Sequence, residues 1–351
     1  MADRNIEFRY YLLDENDQPK SPGNSSTNRL WNVLSGDISY TSLGRLKSSL
    51  TIKIKEDELF DIDYMNDRIK PVVVIDGKEY SLGIFLISSP NRNISSLGCE
   101  RYLTCYSKLK ILDNDKVLSR YYVGVGTNVV NEVIRLLGSN TYNITSSNQT
   151  TSTSREWEIG TSKLDIINDL LDVINYNTLL VDTLGTFISY PYKLPEERIH
   201  TIEYIEGKDS IICYEMSEDF DFFDVPNVFV RYTNDVDIDP PIVATYPLQT
   251  ESEVITMDGR LPNVSAEEVS DISDYETLLA KCKRDAFNNR SVYSHLNFET
   301  AINPVHGYLD CIWVKVGDIN YKYIETSWSF NLEVGGRMKH TARRVVDLDA
   351  N

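Results

Sequence analysis

NDRIKPVVVIDGKEYSLGIFLISSP occupies residues 66–90 and carries the plainest structural signal in the chain. After the polar pair Asp67 and Arg68 and then Pro71, four β-branched residues stand in a row, Val72 to Ile75, the composition of a strand. Asp76-Gly77 follows, the dipeptide suited to the two positive-φ positions of a type I′ turn, and a second apolar stretch, 80–87, comes straight back. The pattern predicts a β-hairpin. On its return arm Tyr80, Leu82, Ile84 and Leu86 share one face, and Phe85 and Ile87 make the other face apolar too. That arm is therefore expected to be one core strand covered on both sides, not an edge.

Working outward, 6–13 and 29–40 read as strands separated by the turn-rich KSPGNSSTN, and 102–107 is another. Residues 50–55 alternate, with Leu50, Ile52 and Ile54 inward and Thr51, Lys53 and Lys55 outward, a half-solvated strand. The first hundred residues thus suggest a small barrel or sandwich. The pattern then changes. Thr127 can cap a helix carrying Val130, Val133, Ile134 and Leu137 at helical spacing, with Gly138 where a left-handed C-terminal residue is wanted. A polar run, 139–154, reads as an exposed loop. Ser162 and Asp165 form a capping box for a second helix with Leu164, Ile167, Leu171 and Ile174 on one face. Segments 178–182 and 186–190 flank a turn at Gly185 as a hairpin. From 201 the β pattern returns through 201–207, 210–216 and 227–233. Residues 234–274 are Pro-rich and acidic without a period, which marks a functional or inserted segment. A helix capped by Asp274 is expected over 275–288, then strands at 292–298, 311–316, 321–324 and 327–333, and after Gly335-Gly336 a basic tail, RMKHTARR.

At 351 residues, two or three domains are expected. A composition of 41% apolar and 25% charged residues is that of a globular protein, and no run is long enough for a membrane span. The N-terminal MADRNIEFRYYLLDENDQ carries charges where a signal peptide needs its apolar segment, which predicts folding in a bacterial cytoplasm. Five cysteines without a C-x-x-C pair read as buried free thiols. A formal charge of -18 argues against specific nucleic-acid binding, which relies on Lys and Arg displacing counterions from phosphate.

Local chemistry is sparse. Gly124-Val125-Gly126 precedes a helix, but the third glycine of a dinucleotide loop falls at Val129, so a turn into a capped helix is the better reading. Asp235, Asp237 and Asp239 resemble the opening of a calcium loop, but Pro240 and Tyr246 stand where glycine and a bidentate Glu are needed. His200, His295, His306 and His340 are scattered. A spatial dyad of Cys311 and His306 is conceivable, yet nothing in the flanks marks an activated nucleophile. A carboxylate pair cannot be located among 53 acids. The sequence therefore marks no catalytic, cofactor-binding or metal-ligating set. The basic cluster Arg337, Lys339, Arg343 and Arg344 suggests docking onto an acidic patch of a neighbouring copy or partner.

Four blocks together carry a resemblance: NDRIKPVVVIDGKEYSLGIFLISSPNR (66–92), LLDVINYNTLLVDTLGTFISYPY (170–192), FETAINPVHGYLD (298–310) and YIETSWSFNLEVGGRMKHTARRVV (323–346). In this order they resemble the tail hub proteins of tailed bacteriophages and phage-tail-like bacteriocins. The resemblance implies a non-enzymatic homotrimer in a baseplate, at the distal end of a tail tube, with two tube-like β-barrels per chain and an α/β unit, an α+β fold that is mainly β. It implies a first barrel at 1–112, an α/β domain at 113–200, a second barrel in two segments at 201–235 and 292–351, and between them an insertion at 236–291 packed on the α/β domain. Implied partners are the tail tube protein and the spike or central tip protein, with the tape measure protein and baseplate wedge as further contacts, and DNA passing through the channel without specific binding. No cofactor is implied. Some members carry a cell-wall hydrolase beyond the hub; here the last motif lies close to Asn351, so lytic activity is expected from a separate protein. The competing expectations are a tail-associated peptidoglycan hydrolase or peptidase, and a receptor- or sugar-binding tail module.

Overall fold

The computed structural model describes residues 4–23, 26–56, 61–96, 98–195, 197–208, 210–220, 226, 228–233, 240–246, 263–269, 272, 274–290 and 294–345. The fold is α+β and mainly β. Its first part is built from β1 (Ile6–Leu13), β2 (Arg29–Leu30), β3 (Val33–Thr41), β4 (Ser48–Lys55), β5 (Arg68–Ile75), β6 (Lys78–Ser81), β7 (Phe85–Ser95) and β8 (Gly98–Ser107). These strands pair in the order β3-β4-β8-β7-β5-β1-β2, with β6 on β5. The alternation of β4 holds: Leu50, Ile52 and Ile54 are buried against Leu12, Ile69 and Leu103, while Thr51 and Lys55 face solvent. Each such side chain contributes roughly 2 kcal/mol by leaving water.

The 66–90 hairpin forms with its turn at Asp76 (φ 50°) and Gly77 (φ 82°), but its return arm is not one strand. β6 is short, half-exposed and bonded to β5, and the chain then breaks over Leu82 to Ile84 before β7 begins. Gly83 is the cause. Its φ of +121° lies where only glycine sits without strain, and a Cβ there would stand 3.0 Å from the Phe85 ring. Past the break β7 still pairs with β5 at Phe85 and Leu86, and on its other side it pairs with β8 over Phe85 to Ser95. The 29–40 stretch is likewise interrupted, at Trp31-Asn32.

The next part holds α1 (Leu109–Asn114), β9 (Tyr121–Val123), α2 (Val129–Leu137), β10 (Tyr142–Ile144), β11 (Arg155–Trp157), α3 (Lys163–Val173), β12 (Leu180–Val181) and β13 (Phe187–Ser189). It has its own core, to which Leu109 and Leu112 of α1 already belong. The helix α2 is capped by Asn128, whose side chain accepts the Asn131 N–H, and not by Thr127, whose hydroxyl instead donates to Gly124 O. Gly138 closes it at φ 61°, and Ser162 accepts the Asp165 N–H at the start of α3. The polar run after α2 is not all loop, since β10 pairs parallel to β13. Two cations dock this unit on the first sheet: buried Lys108 reaches Asp17 and Gly185 O, and Arg45 reaches Asp113 and Asp165.

The remainder contains β14 (Ile202–Ile205), β15 (Ile212–Phe220), β16 (Val228–Tyr232), β17 (Val243–Tyr246), β18 (Val264–Glu268), α4 (Tyr275–Arg290), β19 (Ser294–Ala301), β20 (Cys311–Val316), β21 (Ile319–Asn331) and β22 (Arg337–Arg344). Strands β16, β17 and β18 form a small sheet under α4, so the Pro-rich stretch contributes the strands β17 and β18; Asp235, Asp237 and Asp239 lie outside the described residues. Asp274 caps α4, and Lys281 and Arg284 of α4 bridge to Asp172 just past the middle of the α/β unit. The expected basic tail is instead strand β22, bonded between β19 and β21. Its residues alternate, Met338, His340 and Ala342 inward, Arg337 and Lys339 outward, and the arginines are local: Arg337 pairs with Glu299 and Arg344 lies over the Tyr321 ring. Arg343 is half-buried, and burial lowers its pKa.

Among the described residues, fourteen strands form one continuous sheet, ending on β15 and β2 along its main path. Two apolar cores lie along it, one under β1 to β8 and one under β14, β19, β20, β21 and β22. The join is β21, which pairs with β20 and β22 and then, over Ser327 to Asn331, with β3. A bulge between Glu325 and Ser327 marks the changeover.

Candidate functional site

The bulge changes which residues face inward. Before it, Tyr323 and Glu325 point into the second core; after it, Trp328 and Phe330 point into the first. Trp328 stacks on Tyr40 of β3 with ring centroids 4.9 Å apart, and Tyr308 closes on both rings. Beside this aromatic join sits a buried polar cluster. His306, from the loop between β19 and β20, and His340, from β22, both direct Nδ1 at the carboxylate of Glu325, His340 at 2.5 Å from Oε1 and His306 close to Oε2. All three side chains are almost fully buried.

The outer nitrogens are also engaged. His306 Nε2 meets the Tyr204 hydroxyl at 2.6 Å, and His340 Nε2 meets Thr300 Oγ1 at 2.8 Å. Thr300 donates its own proton to Ala301 O, and Asn303 donates to the Tyr204 oxygen. Phe298 stacks on His340, and Tyr204 on His306. Burial pushes the Glu325 carboxyl upward, but the two facing imidazoles outweigh it and hold it below the ordinary value. Burial lowers His340, against the pull of Glu325. Tyr204 is raised by burial beside the same carboxylate.

His306 also lines a cavity of about 360 Å³ where all three parts of the chain meet. Its walls include Ile84 from the first sheet, Leu180 and Tyr190 from the α/β unit, and Tyr308, Asp310 and Trp328 from the second part. Burial raises the Asp310 carboxyl, while the Gly307 N–H that it accepts opposes the shift. Neither Tyr204 nor Thr300 is among the lining residues, so the hydroxyls bonded to the imidazoles are not offered to a molecule in the cavity. That geometry suits a fixed polar lock or a metal ligand set better than a nucleophile and base.

The histidines that look scattered in the sequence are therefore partly gathered. His200 stays apart, paired with Glu203 and beside Trp313. The Cys311–His306 dyad does not form: the Cys311 thiol points to Pro195 O. Gly126 (φ 78°) is a turn ahead of α2. Glu325 was missed because it stands at the parity change; His340 had a readable signal, its place in the alternating M-x-H-x-A of β22.

No family model and no curated protein matches the sequence. Solved structures do. A tail protein from Neisseria meningitidis MC58 superposes with a TM-score of 0.66 at 14% identity, covering 96% of each chain. A 43 kDa tail protein of prophage MuSo2 from Shewanella oneidensis gives 0.63 at 11% identity, over 97% of this chain and 99% of that one. The Escherichia coli c3393 protein, a type VI secretion component described as similar to the phage T4 tail proteins gp27 and gp5, gives 0.55 at 9% identity, over 91% and 75%. The fold is thus shared with phage tail proteins over nearly the whole chain, in line with the resemblance carried by the four sequence blocks. None of the helices described is long and apolar enough to cross a membrane.

Proposed function

We propose that this chain is a structural tail hub protein, three copies of which close a ring joining a six-fold tail tube to a three-fold spike at the distal end of a phage or phage-like tail. The observation that carries the reading is the whole-length likeness to tail proteins, with a TM-score of 0.66 over 96% of both chains. The two cores along one sheet support it further, because two tube-like barrels per chain, the first at 1–112 and the second at 201–235 with 292–351, would give three copies six lobes to set against a hexameric tube. The α/β unit and α4, bridged through Asp172, would then form the periphery. Partners on this reading are the tube and spike proteins, and the chain works without catalysis. The acidic balance would serve a channel wall that repels passing DNA.

The test is the mass of the purified protein by light scattering, with a tube-protein binding assay alongside. A mass near three times 40.2 kDa is expected, held by an interface above about 2,000 Å². A strict monomer at high concentration that binds no tube protein overturns the reading.

A further inference from the structure

We infer that His306, Glu325 and His340 form a binding site for one divalent transition-metal ion of zinc's class, beside the cavity at the junction, which His306 lines. The ligand atoms of the three side chains lie within 4.8 Å of one another. Two imidazoles and a carboxylate are the donor set that holds zinc with a fourth position left for an exogenous ligand.

The hydrogen-bond bookkeeping points the same way. With the Thr300 proton on Ala301 O at 2.9 Å and the ring's hydrogen of His340 assigned to Nε2, donated to Thr300 Oγ1, Nδ1 is left as an acceptor. The Nδ1 lone pair of His340 then faces the Glu325 carboxylate at 2.5 Å. In that tautomer two lone pairs share the gap only with a positive occupant, and among the described residues the buried carboxylate has no Lys or Arg hydrogen-bond partner. A proton fits the gap as it stands. A metal bonded at about 2.0 to 2.2 Å to nitrogen and oxygen needs those atoms on the order of 3 Å apart. Loading a tetrahedral ion therefore opens these contacts by roughly one ångström and brings together two imidazoles that face different carboxylate oxygens; His306 is the member able to give, since it sits on the loop between β19 and β20 and lines the cavity through which an ion would arrive. Thr300 and Tyr204 already occupy the outer nitrogens in the way that supporting residues orient metal-bound histidines.

The experiment uses the full chain, dialysed against EDTA and then titrated with ZnCl2 or CoCl2. One ion per chain is expected, with a rise of several degrees in Tm and, for cobalt, the intense visible absorption of a four- or five-coordinate ion. His306→Gln should abolish stoichiometric binding, Thr300→Val should weaken it by about 10–100-fold, and His200→Gln should change nothing. The wild-type titration alone is decisive should His306→Gln fail to fold. Binding of neither ion, an unchanged Tm with only the spectrum of hydrated cobalt, or stoichiometric binding that survives His306→Gln would overturn the site and leave a proton as the occupant.

Discussion

Lys47 offers a sharp test of the packing at the docking face. It sits at φ 65° in the turn between β3 and β4, is 7% exposed, and donates from Nζ to Ser42 O at 2.7 Å. Burial, reinforced by the like charge of Arg284 on α4, lowers its pKa from 10.5 to about 8. The sign follows directly. Below about pH 8 the lysine is charged in both states and the folded state carries the desolvation cost; between the folded and unfolded values the unfolded chain binds the extra proton, so stability rises with pH. At 1.36 kcal/mol per pH unit, the gain between pH 7 and pH 9.5 is about 2 kcal/mol. Buried thiols such as Cys105, pushed up to about 12, act in the opposite direction in this range, so the wild-type curve by itself does not isolate the lysine. The comparison with Lys47→Met does, because those contributions cancel. Urea unfolding followed by tryptophan fluorescence should show the stability difference, wild type minus Lys47→Met, moving in favour of wild type by about 2 kcal/mol from pH 7 to pH 9.5. A difference that stays flat to within about 0.5 kcal/mol would refute the placement of a buried, strained-charge lysine at this face.

Three further outcomes are expected. Gly83→Ala should cost about 1–3 kcal/mol by forcing a side chain into a φ of +121° and against Phe85, measurable by urea denaturation, whereas Gly77→Asn, at φ +82° with nothing near its Cβ, should cost less because asparagine tolerates the left-handed region. Ser162→Ala should lose about 0.5–2 kcal/mol with the α3 cap, and removing the contact from Arg45 Nη2 at 3.0 Å adds to that loss. Trp328→Ala should lower stability by about 3–5 kcal/mol, seen as a drop in the urea midpoint, since the residue is buried and stacked on Tyr40.

What the sequence makes legible is local. The alternation of β4, the Asp76-Gly77 turn, the Ser162 cap and the Asp274 cap each depend on residues within a few positions, and each forms as read. The misreadings come from long-range competition. The return arm of the hairpin has a strand's composition, yet it breaks at Gly83, after which Phe85 pairs with Ile69 of β5 on one side and with Ser107 of β8 on the other. RMKHTARR looks like a solvated tail because its charges dominate the eye, while its period of two carries Met338, His340 and Ala342 into the core. Asn128 displaced Thr127 as cap because Thr151 and Gly124 already engage the Thr127 backbone and hydroxyl. The Glu325 cluster draws on three segments up to 34 residues apart in sequence (His306 to His340) and on a bulge, and periodicity has no means of reporting either.

Because β21 serves both halves, separating them breaks the ladder between β21 and β3. Expression of the first 112 residues alone would strip the partner from Asp37 to Thr41 of β3 and present a raw strand margin to other chains, an invitation to aggregate. A load arriving on one half would likewise reach the other as shear along a shared ladder of hydrogen bonds, the direction in which a strand pair yields only when many bonds fail together.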